Sequence, residues 1–268
     1  APQLRCRVVD FCDVDSAKWT SYAEQHRWPM SWLYRREGRT LLDFEQAVAA
    51  KVEAATFVTE AEVALFRRLA SGLDSGRVVA VQNGVDADFF APSASFESPY
   101  PSGGPVVVFT GAMDYWPNID AVSWFAREIL PMLRQRVAGV RFYIVGMNPA
   151  PAVQALARPD EVVVTGAVED IRPWLAHADA VAAPLRIARG IQNKVLEAMA
   201  MARPVVVSQA SAIGLAGEDG EDFVAAATAS DYVTQLAALL VDAASRQRMG
   251  ERARAYVLAH YSWSAHLS

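Results

Sequence analysis

The sequence predicts an α/β protein made of two βαβ domains. Short runs of apolar, often β-branched residues alternate with helical patterns along most of the chain, and this rhythm is typical of parallel sheets covered by helices. A second observation divides the chain, because residues 91–105 are rich in Pro, Ser and Gly and can continue neither a helix nor a central strand. We therefore predict a first domain at 1–92, a linker at 93–104 and a second domain at 105–268.

The first domain is short. Its strands are predicted at 7–11, 55–59 and 77–86, and its helices include 31–55 and 60–70. The chain enters the first strand almost at once, so we expect a truncated βαβ domain here.

An acidic group lies within the first strand and just after it. The spacing of three aspartates, Asp10, Asp13 and Asp15, resembles that of a metal-binding cluster. However, Asp13 and Asp15 precede Ser16 at the start of a helical pattern. N-capping is the favoured interpretation, because short polar side chains accept from the free amides of a first turn. No metal site is predicted.

The second domain repeats the rhythm more fully. Three predicted strands end in glycine, and each is followed by a loop and a helical pattern. The carboxyl ends of parallel strands share one sheet edge, where ligands of open α/β sheets bind. The predicted strands are 105–111, 140–146, 161–166, 179–185 and 204–208. The predicted helices are 118–137 with a kink at Pro131, about 150–157, 193–201, and two within 230–260.

Composition excludes several classes of protein. The chain has 268 residues, is 53% hydrophobic and carries a net charge of −5, so nucleic acid is not expected as its main partner. The two cysteines, Cys6 and Cys12, lack metal-ligand spacing and are expected as reduced thiols. No run of about 18 apolar residues is present, and we expect a cytoplasmic protein.

The stretch 186–197, RIARGIQNKVLE, concentrates charge where a helix should start. Asn193 is the predicted N-cap, which places Lys194 and Glu197 on one face of the first turn. Free amides of a first turn attract anions, and Lys194 adds a full positive charge. Cationic groups followed by a carboxylate fit a nucleotide diphosphate and its ribose. A structural ion pair between Lys194 and Glu197, or a solvated helix end, are the alternatives.

The order of motifs resembles the retaining glycosyltransferases of family 4, which have the GT-B fold of two Rossmann-like domains. The resemblance rests on VVAVQNGVDADFFAP, VVFTGAMDYWPNIDAVSWF, VVVTGAVEDIRPWLAHADAVAAPL and KVLEAMAMARPVVVS, taken in order. DFCDVDSAKWTSYA resembles bacterial sugar transferases of exopolysaccharide synthesis. Together these stretches span about 7–264.

This resemblance implies residue roles. The family's Glu-x7-Glu motif falls on Arg189 through Glu197, so Glu197 is expected to contact the donor ribose, while Arg189 replaces the glutamate that usually touches the sugar. The loop GAMDYWPN, after the first strand of the second domain, lacks the arginine and lysine that the family often has there. Lys194 and Arg186 are therefore the expected partners of the diphosphate. Ala202 occupies a position where glycine is common. No catalytic base is assigned. The predicted donor-binding residues are Gly111, Arg186, Arg189, Gly190, Asn193, Lys194 and Glu197.

The resemblance implies an enzyme of the hexosyltransferase type, inactive if the truncation removes its acceptor side. It would move a sugar from a nucleotide-diphosphate donor to a glycan or lipid-linked acceptor in exopolysaccharide synthesis, without a cofactor. A nucleotide-sugar epimerase of GT-B type and a fragment that only binds donor nucleotide are the alternatives.

The stretch SWLYRREGRT at 31–40 suits peripheral contact with the inner face of the membrane. The alternative, which is favoured, is an ordinary helix with its aromatic residues in the core and its arginines in water.

Overall fold

The computed structural model describes residues 6–70, 72, 74–187, 191–215 and 217–266. The chain forms two units, with the division between Asn83 and Gly84. The predicted linker at 93–104 thus falls inside the second unit. Each unit is described by itself.

The first unit is a small parallel sheet with helices. Its described elements are β1 (Val8–Cys12), α1 (Asp15–Gln25), α2 (Met30–Ala49), β2 (Ala54–Phe57), α3 (Glu60–Leu69), a 3-10 turn (Ser75–Arg77) and β3 (Val78–Ala80). Over the described residues, the three strands lie in the order β1-β2-β3. The core packs the rings of Phe57 and Phe66 at 4.8 Å between centroids, so the apolar strand β2 and the inner face of α3 bury each other.

Carboxylates from other helices accept hydrogen bonds from the free backbone N–H groups at the start of α1. The buried Glu62 accepts from the Val14 amide at 2.7 Å, and Glu45 accepts from the Ser16 amide at 3.1 Å and its hydroxyl at 2.6 Å. The N-cap residue is Val14, which has no side-chain cap. Asp13 and Asp15 hold Lys18 instead, at 2.8 and 2.9 Å. The predicted capping role of these two aspartates is therefore wrong, because distant glutamates already occupy the free amides.

The second unit contains a larger parallel sheet. Its strands are β4 (Val106–Thr110), β5 (Arg141–Val145), β6 (Val162–Gly166), β7 (Ala180–Ala183), β8 (Val205–Ser208) and β9 (Val224–Ala226). Its helices are α4 (Trp116–Trp124), a π-helix (Phe125–Ile129), α5 (Leu130–Arg136), α6 (Pro151–Gln154), α7 (Arg172–Ala176), α8 (Asn193–Ala200), α9 (Gln209–Ala212), α10 (Ala229–Val241), α11 (Ala243–His260) and α12 (Trp263–His266).

The strand order creates a crevice. In the described chain the six strands lie in the order β6-β5-β4-β7-β8-β9. Successive connections run one way from β4 to β6 and the other way from β7 to β9, so the order reverses between β4 and β7. In open α/β sheets this reversal leaves a ligand-binding crevice at the carboxyl ends of the two strands.

Apolar side chains cover both faces of this sheet. One face packs under α4, α5 and α10 around Phe109, Phe125 and Phe142, and the other packs under α8 and α11 around Leu196 and Val257. Strands buried on both faces read as nearly continuous apolar runs, which is why VVVF and VVVS were recognisable.

The segment 93–104 packs on the second unit. Phe96 and Tyr100 lie against the core beneath α8 and α11, and the Tyr100 hydroxyl donates to the carbonyl of Trp174 at 2.5 Å. His177 is hydrogen-bonded through its ring to the carbonyl of Phe96 at 2.7 Å. Proline and glycine prevent regular structure here without making the segment a free linker.

The helix predicted at 118–137 is interrupted before Pro131. The π-helix Phe125–Ile129 separates α4 from α5, and the Leu130 amide donates to the Phe125 carbonyl five residues earlier. Proline has no amide hydrogen and crowds the preceding turn, so one wider turn accommodates it.

Candidate donor site at the carboxyl edge of the second sheet

Two glycines allow the ends of β4 and β5 to approach closely. A Cβ at Gly146 would overlap the carbonyl oxygen of Gly111. At Gly111, where φ is +152°, a Cβ would lie 2.8 Å from the Asn118 amide nitrogen and 3.0 Å from the Lys194 amine. The predicted residue Gly111 therefore lies at the crevice, and its missing side chain leaves the backbone open toward Lys194.

An open cavity of about 700 Å³ lies over the ends of β4, β5 and β6. Gly111, Gly146 and the loop 167–172 line it. Its volume falls in the range of small-molecule sites. Arg172, the first residue of α7, donates to both carboxylate oxygens of Asp170 at 2.7–3.0 Å. Its guanidinium lies 4.0 Å from the centroid of the Phe89 ring, which braces that wall.

Lys194 places a cationic side chain at the reversal point. Its amine donates to the Oδ1 atom of Asn118 at 2.5 Å and lies 4.4 Å from the centroid of the Phe109 ring. Burial lowers the pKa of Lys194 to about 7, although Glu197 acts in the opposite direction. Desolvation disfavours the ammonium form. A bound anion would therefore stabilise a positive charge that the protein leaves poorly solvated.

Glu197 lies one turn further along α8. It is largely buried, and this burial raises the pKa of its carboxyl group despite the opposing charge of Lys194. Among the described residues it has no hydrogen-bond partner, and it is not within ion-pairing distance of Lys194, which turns to Asn118. The structural ion pair considered as an alternative is thus not formed. A partly accessible carboxylate that none of the described residues engages is suited to accept hydrogen bonds from ligand hydroxyls.

The start of α8 differs from the prediction by one residue. Gln192 is the N-cap, with φ −97° and ψ 119°, and its carbonyl accepts from the amides of Val195 and Leu196 at 2.9 and 3.3 Å. Asn193 is the first helical residue and is exposed. The predicted N-cap role of Asn193 is wrong, but the first turn of α8 still faces the same crevice through Lys194.

Arg186 is held away from Lys194. It forms a bidentate pair with Asp120 of α4 at 2.5 and 2.9 Å and lies 5.4 Å from the ring centroid of Trp124. It lines a separate cavity of about 300 Å³ on α4. The remaining predicted residues, Arg189 and Gly190, lie outside the described residues.

Asn118 is the site residue that sequence reasoning missed. The sequence predicts a helix that starts at 118, but α4 begins two residues earlier, at Trp116, with Tyr115 as its N-cap. Asn118 is 4% exposed and faces Lys194 from the first turn. The available signal was the position of its loop after a glycine-ended strand.

The same fold occurs in known glycosyltransferase structures. Sucrose-phosphate synthase from Thermosynechococcus elongatus matches with a TM-score of 0.74 and 19% identity over 97% of this chain and 64% of that chain. HepE of Anabaena, solved with UDP and glucose, matches with a TM-score of 0.70 and 16% identity over 97% of this chain and 68% of that one. The fold class is therefore GT-B, as predicted, with one six-stranded Rossmann-like unit and a smaller partial one.

The family follows from the sequence of the second unit. The family described as Glycosyl transferases group 1 matches residues 104–242, and this chain belongs to it. A curated relative, D-inositol 3-phosphate glycosyltransferase 2 of Catenulispora acidiphila, is 29% identical over 216 residues, which cover 72% of this chain and 49% of the relative. The chain thus spans about half the length of that relative.

Proposed function

We propose that this chain binds a nucleotide-diphosphate sugar and takes part in transferring the sugar, with retention, to a glycan or lipid-linked acceptor. The observation that carries the proposal is the placement of Lys194 and Glu197. Both are largely buried, they are not paired with each other, and they lie where the strand order reverses. The HepE structure with UDP and glucose supports a donor of this kind.

The chemistry divides between the two side chains. Lys194 stabilises negative charge on the departing diphosphate, which a preorganised cation does best in a poorly solvated site. Glu197 accepts from the ribose hydroxyls, and the cavity over β4 to β6 receives the nucleoside. The proposed chemistry uses protein groups and calls for no cofactor. Exopolysaccharide synthesis as its setting rests on the resemblance of DFCDVDSAKWTSYA.

Calorimetric titration with UDP, GDP and ADP tests the donor site. We expect one nucleotide to bind, and Lys194→Ala to weaken it by roughly ten- to a hundredfold, since a hydrogen bond to a charged group contributes about 1.5–3 kcal/mol. Lys51→Ala is the matched control, because Lys51 is exposed and belongs to the first unit. Equal affinity of wild type and Lys194→Ala would refute the phosphate role.

The reaction type needs a separate measurement. Incubation with the nucleotide sugar and no acceptor distinguishes transfer from epimerisation: an epimerase yields an isomeric nucleotide sugar, whereas a transferase yields at most slow hydrolysis. With an acceptor, the anomeric configuration seen by NMR reports retention. Bound donor with no turnover under any condition would support the donor-binding fragment instead.

An exposed surface on the first unit supports membrane contact. Trp28 is 81% exposed and Trp32 55% exposed, so the favoured core interpretation is wrong for Trp32. Arg27, Arg35 and Arg39 are exposed nearby, and tryptophan beside basic residues suits an anionic lipid surface. No helix in the described ranges is long and apolar enough to cross a membrane. We propose peripheral contact at the inner face of the membrane.

Sedimentation with vesicles tests this contact. We expect binding to vesicles that contain phosphatidylglycerol, weaker binding to pure phosphatidylcholine, and a loss of several-fold in the double variant Trp28→Ser, Trp32→Ser. Ile213→Ser is the control, since Ile213 is an exposed apolar residue of the second unit. Unchanged sedimentation of the double variant would contradict the proposal.

A further inference from the structure

The Lys194 amine is held by neutral groups. Asn118 of α4 accepts from it at 2.5 Å, and the ring of Phe109 on β4 lies below it at 4.4 Å. Within the described part of the chain, the charged group that acts on it is Glu197 of its own helix. The nearby Arg186 and Asp120 neutralise each other.

The orientation of the Asn118 amide is determined at both ends. Its Nδ2 atom donates to the Ala112 carbonyl at 2.9 Å, and its Oδ1 atom accepts from the ammonium. Rotating the amide would set donor against donor and acceptor against acceptor. The backbone N–H of Asn118 donates separately to the Tyr115 carbonyl at 2.9 Å, which fixes the residue in the first turn of α4. The side chain therefore links the loop after β4 to the start of α8 in a single geometry.

A neutral acceptor has a chemical consequence that a carboxylate lacks. An aspartate at 118 has almost the same shape, but its charge would neutralise the ammonium and compete with a diphosphate for it. The asparagine oxygen fixes the amine in place and leaves the positive charge available to an incoming anion.

We propose that Asn118 is a positioning residue, which holds the Lys194 amine at the crevice and preserves its charge for a diphosphate. This inference rests on the proposed donor-binding function. Asn118 acts through Lys194 and is not assigned a contact with the donor.

Direct titration of the Lys194 side chain tests the positioning role without any donor. The sequence contains three lysines, Lys18, Lys51 and Lys194, so lysine labelled with ¹³C at Cε gives few NMR signals to assign. We expect Asn118→Asp to raise the pKa of Lys194 and Asn118→Leu to lower it. The control Tyr232→Phe removes a different buried hydrogen bond, to the Ala183 carbonyl, and should leave the Lys194 titration unchanged.

Donor affinity is measured on the same proteins with UDP-glucose. Both Asn118 variants should bind about tenfold or more weakly at pH 6.5, and Tyr232→Phe should bind as the wild type does. Wild-type titration of Lys194 in both Asn118 variants would overturn the positioning role. Opposite shifts in the two variants together with wild-type affinity in Lys194→Ala would uphold the Asn118–Lys194 link and overturn the proposed function, so the two failures are distinguishable.

Discussion

At the scale of single residues, Lys194 makes donor binding dependent on pH near neutrality. Its pKa of about 7 means that the free protein loses the ammonium charge as the pH rises through that value. A bound diphosphate favours the charged form and raises the pKa, so binding takes up a proton above neutrality. We expect the affinity for UDP-glucose to fall between pH 6 and 8.

Calorimetry in two buffers of different ionisation enthalpy measures that proton uptake. UDP-glucose is the suitable ligand, because its diphosphate is esterified at both ends and does not titrate in this range. Lys194→Met should bind weakly and with little pH dependence. A wild-type affinity that stays constant over the range would show that the ammonium is not the titrating partner.

Ala202 illustrates strain at one residue. Its φ is +54°, at a position where the resembling family commonly has glycine. A left-handed conformation costs a non-glycine residue about 1–2 kcal/mol. Replacing alanine by glycine also makes the unfolded chain more flexible, which cancels about 0.4–1 kcal/mol of the stability gained by relieving the strain. We expect Ala202→Gly to stabilise the protein by roughly 0.5 kcal/mol in urea unfolding. Asp160→Gly, at φ +59°, should gain less, since aspartate tolerates this conformation better; a destabilised Ala202→Gly would contradict the strain argument.

At the scale of elements, the glycines that end the strands have different structural roles. A side chain at Gly146 would meet the Gly111 backbone, whereas one at Gly166 has open space and only an unfavourable φ of +70°. We expect Gly146→Ala to cost at least about 3 kcal/mol and to weaken UDP-glucose binding, because β4 and β5 must separate at the site. Gly166→Ala, the matched control, should cost about 1–2 kcal/mol. Equal losses in the unfolding free energy would show that the close approach is relaxed in solution.

The elements that sequence patterns predicted well are those with a strong local signal. Apolar runs gave β4 to β8 within one or two residues, and the glycine-ended strands placed Gly111 at the ligand edge. Strand β9 was missed because three apolar residues in an acidic, glycine-containing stretch carry little signal. The Glu62 and Glu45 contacts at α1 and the Asn118–Lys194 hydrogen bond join residues 29 to 76 positions apart. Such tertiary contacts leave no local pattern, so the caps and the lysine partner could not be predicted.

At the scale of the whole molecule, the position of the domain boundary determines which residues stabilise the second unit. Each unit has its own apolar core, and the second unit includes residues before the predicted start at 105. The Val85 amide donates to the Tyr261 carbonyl at 2.7 Å, and Val85 is 5% exposed. Phe96 and Tyr100 extend the same core. We propose the functional boundary at 83/84 in place of the linker at 93–104.

Two fragments decide between these boundaries. We expect a polypeptide of residues 84–268 to unfold cooperatively and to bind UDP-glucose with the affinity of the full chain. A polypeptide of residues 105–268 loses Val85, Phe96 and Tyr100 from its core, and burial of such side chains contributes about 1.5–3 kcal/mol each. Its free energy of unfolding should therefore be several kcal/mol lower, so that it unfolds at a lower urea concentration, and the fragment should expose apolar surface. Equal stability of the two fragments would restore the boundary at 93–104, because the packing of that segment would then contribute nothing to the core it covers.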